Sequence, residues 1–321
     1  MRDSIGRPLL SFANMKLRLF IDTNVLIDYI EDRDNKKAKS FIELFRNSKF
    51  NNIEILTSDY VLWEVYGHMR EEFYIEELIK NFNYGYISAN KECRKNPFRL
   101  VSVSQMELIG KRIVECINKF KNNPVVIERL FSKEVEKFSE LIEKLLQVSK
   151  FSYSDAIIFA SALVTNSHII ITLDETFSSD RHLSELKEAL KELPERFQEI
   201  EFKKPEDFHN RRKVKEEFKN WFIKHNKNKQ IGEVFKVWPK RNVVGVKCFG
   251  RFFIQENDYL CMVKFKNGID FTYKIIEVGD GCLMNYKSKR LIKRGKEVTI
   301  KLPKEVKSKL LDSAMVFLFS E

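Results

Sequence analysis

Leu17-Arg18-Leu19-Phe20-Ile21-Asp22-Thr23-Asn24-Val25-Leu26 decides the fold class. Its first five residues form a short apolar run, which reads as a buried strand, and a helix follows from about Val25. The run stops on a carboxylate, Asp22. A strand that ends on a carboxylate puts it at the carboxyl edge of its sheet, where ligand sites of open parallel sheets form. The arrangement returns in His168-Ile169-Ile170-Ile171-Thr172-Leu173, which ends on Asp174.

Working outward, Glu31–Lys37 is a charged break, Ala38–Phe45 has helical spacing, and Ile53–Leu56 reads as a second strand. Ser58 then caps a helix carrying Val61, Leu62, Val65 and Met69 on one face. Residues 70–150 read as mostly helical and heavily charged, less regular over Asn81–Asn96, with breaks at Pro97 and Pro124. Ser154 can cap a helix over Asp155–Val164. Strands alternating with helices imply an α/β fold, a parallel sheet with crossover helices.

Hydrophobic residues make up 43% of the 321, enough for a real core, and the length suits two domains. No apolar run approaches the roughly 20 residues a transmembrane helix needs, and Met1–Asn14 shows no secretory pattern. Cys93, Cys116, Cys248, Cys261 and Cys282 are widely spaced with no CxxC pair. They read as reduced thiols of a cytoplasmic protein, without a zinc or redox motif. His68, His168, His182, His209 and His225 make no ligand-spaced pair, and His168 reads as a core strand residue.

The net charge of +11 is unevenly placed: residues 203–321 hold 28 Lys and Arg against 14 Asp and Glu, leaving 29 against 32 for residues 1–202. The basic part would attract a polyanion, although a solvated Lys-rich surface gives the same count.

Four acids stand at the edges of apolar elements: Asp22, Glu64, Asp155 and Asp174. Taken singly, each also reads as a turn acid or a solvated helix residue. Taken together, they can converge on one sheet edge, where a cation would keep them ionised. An all-oxygen set selects Mg²⁺ or Mn²⁺ over zinc. The chemistry implied is attack of water on a phosphodiester.

These acids lie in four segments: Phe20-Ile21-Asp22-Thr23-Asn24-Val25-Leu26, Thr57-Ser58-Asp59-Tyr60-Val61-Leu62-Trp63-Glu64, Tyr153-Ser154-Asp155-Ala156-Ile157-Ile158-Phe159-Ala160 and Ile171-Thr172-Leu173-Asp174-Glu175-Thr176-Phe177. In this order they resemble the motifs of PIN domains, over roughly 15–177, with the region to about 200 attached. The resemblance implies a metal-dependent endoribonuclease with Asp22, Glu64 and Asp155 as principal metal-site acids and Asp174 completing the set. Asn24 and Thr172 would be supporting polar groups. The chain departs from single-domain PIN toxins in its longer middle and its C-terminal addition.

Lys203–Gln230, with Trp221 and Phe222 among its charges, reads as an amphipathic linker helix. Beyond it, Val243–Val246, Tyr259–Phe265, Phe271–Ile276, Glu297–Leu302 and Val316–Phe319 read as strands separated by glycine turns, a small all-β barrel. Ile231-Gly232-Glu233-Val234, Gly250–Asp258 and Gly295-Lys296-Glu297 resemble the second-domain β-barrel of translational GTPases. That resemblance implies a binding module; the chain has no GxxxxGK[ST] loop. Lys287, Lys289, Arg290, Lys293, Arg294 and Lys296 form a basic run suited to an RNA backbone, or a solvated loop.

The expected organisation is a tail (1–14), a PIN-like domain (15–202), a basic linker (203–230) and a β-barrel (231–321). The expected partners are single-stranded or ribosomal RNA, a second copy of the chain, and a protein inhibitor, with no membrane. Two readings compete with a free endoribonuclease: a non-catalytic RNA-binding scaffold on the same fold, and the toxin of a toxin–antitoxin pair.

Overall fold

The computed structural model describes residues 16–30, 36–47, 50, 52–95, 102–120, 125–128, 135–148, 151–175, 191, 200–227, 229–249, 252–254, 259–266, 270–277, 290–292, 297–302 and 311–319. The chain divides into two compact units, Leu17–Lys49 with Ile53–Arg211, and Arg212–Glu321 with Met1–Lys16 and Phe50–Asn52. No helix among the described residues is long and apolar enough to cross a membrane.

The first unit is α/β. Its strands are β1 (Leu17–Ile21), β2 (Ile53–Ser58), β3 (Val125–Glu128), β4 (Ile169–Ile171) and β5 (Glu201–Lys203). They pair in the order β3-β2-β1-β4-β5, every pair parallel. β1 is central, with Phe20 opposite Leu56 on one side and Ile170 on the other. A parallel sheet is covered by helices on its faces, so its strands are near-continuous apolar runs. Leu17, Leu19, Phe20 and Ile21 are fully buried, and Ile169, Ile170 and Ile171 nearly so. Each such side chain contributes about 1.5–3 kcal/mol of burial.

The helices of this unit are α1 (Thr23–Ile30), α2 (Lys36–Arg46), α3 (Asp59–Phe82), α4 (Tyr86–Lys95), α5 (Val103–Phe120), α6 (Val135–Val148) and α7 (Tyr153–Val164). Ser58 caps α3, its hydroxyl accepting the Val61 N–H at 3.3 Å. Val61, Val65 and Met69 are the buried face, while Leu62 is half-buried. α3 runs seven turns and ends at Asn83, whose φ of 56° is the left-handed conformation that closes helices. Of the segment expected to be irregular, Asn81–Asn96, Asn81 and Phe82 finish α3, this cap follows, α4 takes up Tyr86–Lys95, and Asn96 lies outside the described residues. Pro97, Pro124 and most of Glu31–Lys37 lie outside the described residues.

The second unit opens with α8 (Arg211–His225), which buries Val214, Phe218, Trp221 and Phe222 along one face. The strands β6 (Gln230–Trp238), β7 (Val243–Cys248), β9 (Tyr259–Lys266), β10 (Asp270–Glu277), β12 (Glu297–Lys301) and β13 (Met315–Phe319) form an antiparallel sheet in the order β10-β9-β13-β6-β7-β12. β8 (Phe252–Ile254) pairs with β11 (Arg290–Ile292). Alternate residues, among them Val234, Val244, Val246, Met262, Val298, Ile300 and Val316, supply the core. The Phe222 ring meets Phe317 edge-on at 5.5 Å, so α8 packs with this sheet. Among the described residues the sheet has two ends, β10 and β12, where a closed barrel would pair them. Gly232 is required by close approach: a Cβ there would lie 2.3 Å from the Lys247 carbonyl oxygen.

Candidate active site at the carboxyl edge of the parallel sheet

β1 and β4 are parallel neighbours, so both end on the same side and bring Asp22 and Thr172 together. The Asp22 N–H donates to the Ile171 carbonyl at 3.0 Å, which extends the ladder one residue and fixes the backbone under the carboxylate. Asp22 is 3% exposed. Its Oδ1 accepts the Thr23 N–H at 2.6 Å, and its Oδ2 accepts the Thr172 hydroxyl at 2.6 Å. The Thr172 Oγ1 accepts the Asn24 amide and the Asp174 N–H, both at 3.0 Å. The Asn24 Oδ1 accepts the Leu173 N–H at 3.0 Å. Asn24 and Thr172 therefore form a two-way bridge between the start of α1 and the end of β4.

β2 leads through Ser58 into α3, whose second turn carries Glu64. The Thr23 hydroxyl donates to Glu64 Oε2 at 2.5 Å, and the Ser154 hydroxyl donates to Oε1. Asp155 stands in the first turn of α7 and takes part in a capping box. Its N–H donates to the Ser152 hydroxyl oxygen at 3.1 Å, and its Oδ2 accepts from the Ser152 N–H at 3.1 Å and hydroxyl at 2.6 Å. The expected cap is thereby corrected. The helix starts at Tyr153, so Ser152 is its N-cap. Ser154 sits inside the first turn, and its hydroxyl goes to Glu64.

The charges of Glu64 and Asp155 both act on Asp22. Burial pushes the Asp22 carboxyl up to about 7; the Thr172 and Thr23 hydrogen bonds oppose this, and the charges of Glu64 and Asp155 add to it. The Asp174 backbone is tied to Thr172, and its side chain is half-buried. Among the described residues no three His, Cys, Asp or Glu side chains close into a ready metal cage. Each acid is instead hydrogen-bonded: Asp22 to Thr172, Glu64 to Thr23 and Ser154, and Asp155 to Ser152. The donor set is all oxygen, and a carboxylate raised chiefly by burial, with two further charges beside it, is what a hard divalent cation offsets. The oxygen chemistry of these residues suits such an ion.

Sequence reading misses the roles of Thr23 and Ser154. Each precedes or follows a motif acid by one residue, and that adjacency is the signal that could find them. His168 lies at the opposite, amino edge, where its Nδ1 accepts the Arg18 N–H at 3.0 Å. Of the basic run, Lys287, Lys289, Lys293, Arg294 and Lys296 lie outside the described residues, and Arg290 opens β11 opposite Ile254.

A search of curated proteins finds no match. Among solved structures, the chain is similar to a chain of the crystal structure of VapBC2 from Rickettsia felis bound to a DNA fragment from their promoter. That match is 14% identical, covers 59% of this chain and 98% of the other, and has a TM-score of 0.33. The family model described as the PIN domain matches residues 19–181, which include all four motif acids and make up half of the chain; the chain belongs to the PIN-domain family.

Proposed function

We propose that the first unit is a metal-dependent endoribonuclease that hydrolyses RNA phosphodiester bonds at Asp22, Glu64 and Asp155, with Asp174 beside them. PIN domains are typically metal-dependent nucleases, so the general activity follows from the family. The observation that carries the reading is Asp22: a carboxylate almost out of water at the end of the central strand, with two further carboxylates acting on it. Burying and clustering like charges costs stability, and a scaffold that only binds has no need of it.

Asp22, Glu64 and Asp155 would hold Mg²⁺ or Mn²⁺. When bound, the ion supplies positive charge that acidifies water and offsets charge on a phosphate oxygen. The chain's own residues set the geometry. Thr172 keeps Asp22 Oδ2 in place, Asn24 keeps Thr172 in place, and the Thr23 and Ser154 hydroxyls hold Glu64 from two elements. Such supporting hydrogen bonds orient ligands that would otherwise rotate. The second unit, with its excess of Lys and Arg, would bind the RNA backbone and contribute affinity that falls with salt.

The test is cleavage of a mixed single-stranded RNA pool by the full chain, with Mn²⁺ or Mg²⁺ and with EDTA, beside Asp22→Asn. Metal-dependent cleavage that disappears in the variant is the expected result. A folded wild type that leaves every RNA intact, including structured ribosomal RNA, would favour the binding scaffold.

A further inference from the structure

An acidic site has difficulty holding a polyanion by charge, so something else near it must grip the substrate. Beside Glu64 the surface is aromatic. Tyr60, Trp63 and Tyr66 follow one another at every third position of α3, which makes them neighbours along one ridge. The Trp63 and Tyr66 rings meet edge to face at 5.9 Å and 68°. Trp63 is 67% exposed, although tryptophan is ordinarily among the most buried residues on average. Tyr153, the residue before Ser154, is 62% exposed. Position joins these rings to Glu64: Tyr60 and Trp63 precede it on α3, and Tyr153 precedes Ser154, whose hydroxyl donates to Glu64 Oε1. The rings thus lie on the two elements that hold Glu64, at the starts of α3 and α7.

We propose that Tyr60, Trp63, Tyr66 and Tyr153 form a base-stacking rim that holds unpaired nucleotides next to the bond cleaved at Glu64 and Asp22. The inference rests on the nuclease reading for the word cleaved, and on the geometry alone for the stacking. A ring presents a neutral face to a base, so it adds affinity where acids would repel phosphates. Bases inside a duplex are already stacked on their neighbours and cannot reach a ring, so the rim selects single-stranded segments. Stacking tolerates every base, so the rim gives little sequence preference. Trp63 and Tyr153 are positioning residues here, and their loss should appear in substrate binding and leave the chemical step alone.

Two measurements on the full chain in Mg²⁺ buffer test this. The first is tryptophan fluorescence of Asp22→Asn titrated with a short single-stranded RNA, with the same strand in a duplex, and with a strand carrying abasic positions. The intact single strand should quench; the duplex and the abasic strand should quench far less. Adding Trp63→Phe should remove most of the quench while keeping affinity within about two-fold, and adding Trp63→Ala should weaken binding about 10-fold. The second is steady-state cleavage by otherwise wild-type protein, where Trp63→Ala and Tyr153→Ala should each raise KM about 10-fold with kcat within about two-fold. Equal quench from all three RNAs, or unchanged affinity and KM in Trp63→Ala, would overturn the rim and turn these rings into a surface for a protein partner. The two readings fail separately. Quench without any cleavage keeps the rim and removes the nuclease, whereas Asp22-dependent cleavage indifferent to Trp63 does the reverse.

Discussion

The two units solve the placement of chemistry in different ways. In the parallel sheet both faces are packed, and the strands have no free side to offer a ligand. Polar residues therefore collect where strands stop: Asp22 after β1, Ser58 at the end of β2, Thr172 after β4. In the antiparallel sheet burial alternates along β12. Val298 and Ile300 are buried in the core, whereas Thr299 is half-buried and Lys301 exposed. A binding surface there would lie on a face and draw on many residues of one strand pair. Edges gather few residues from distant parts of the sequence, and faces gather many from nearby parts.

The comparison can be broken at several points. The largest expected effect is from Phe222→Ala, which empties a fully buried ring site against Phe317 and should destabilise the second unit by about 3–5 kcal/mol. Thermal unfolding should then show an earlier transition, while cleavage of a short oligonucleotide at a temperature below it stays near wild type. A parallel fall in that cleavage would mean the units do not work separately.

Next comes the linkage at Asp22. Its carboxyl is raised by folding from 3.8 to about 7, so the folded state binds the proton more tightly than the unfolded state. Stability is then fully present below about pH 4 and is lost as pH rises through 7, by up to about 4 kcal/mol without metal. Asp22→Asn should flatten that decline and stay more stable than wild type at pH 7.5 in EDTA. Mg²⁺ should raise the wild-type Tm far more at pH 7.5 than at pH 5, and leave the variant's Tm unchanged. A wild-type Tm indifferent to pH between 5 and 8 in EDTA would remove the electrostatic account.

The smallest of the three concerns the bridge. Thr172→Val deletes the hydroxyl shared by Asp22, Asn24 and the Asp174 N–H, and should lower kcat/KM about 10- to 100-fold, with metal affinity falling in step. An equal loss from Thr165→Val, whose hydroxyl bonds the Ala162 carbonyl on the far side of α7, would show that both act through stability alone.

Much of the sheet was legible because its strands are short apolar runs. β1, β2 and β4 could be read this way, and Asp22 as the acid that follows β1, whereas Glu64 and Asp155 were read from the starts of their helices. β3, Val125-Val126-Ile127-Glu128, is also an apolar run but lies in a stretch that otherwise reads as helical, and β5 is not such a run at all. Glu201-Phe202-Lys203 is three residues with one apolar side chain, and its pairing with β4 comes from tertiary context. Ser152 and Ser154 illustrate a finer limit. Either can cap the helix, and a one-residue change in where it starts decides which hydroxyl is left for Glu64. The strands of the second unit were legible from alternation and glycine turns. Which of its outward residues bind anything was not, because solvent-facing lysines look alike whether or not they touch a phosphate.

The bond from Thr172 to Asp22 spans 150 positions of sequence. A chain emerging from the ribosome has β1 and Asp22 outside early, yet Asp22 lacks its partner hydroxyl until β4 has been made and docked. Long-range pairing of this kind forms late. The growing polypeptide therefore cannot assemble its acidic edge until four of the five described strands of the parallel sheet have been made.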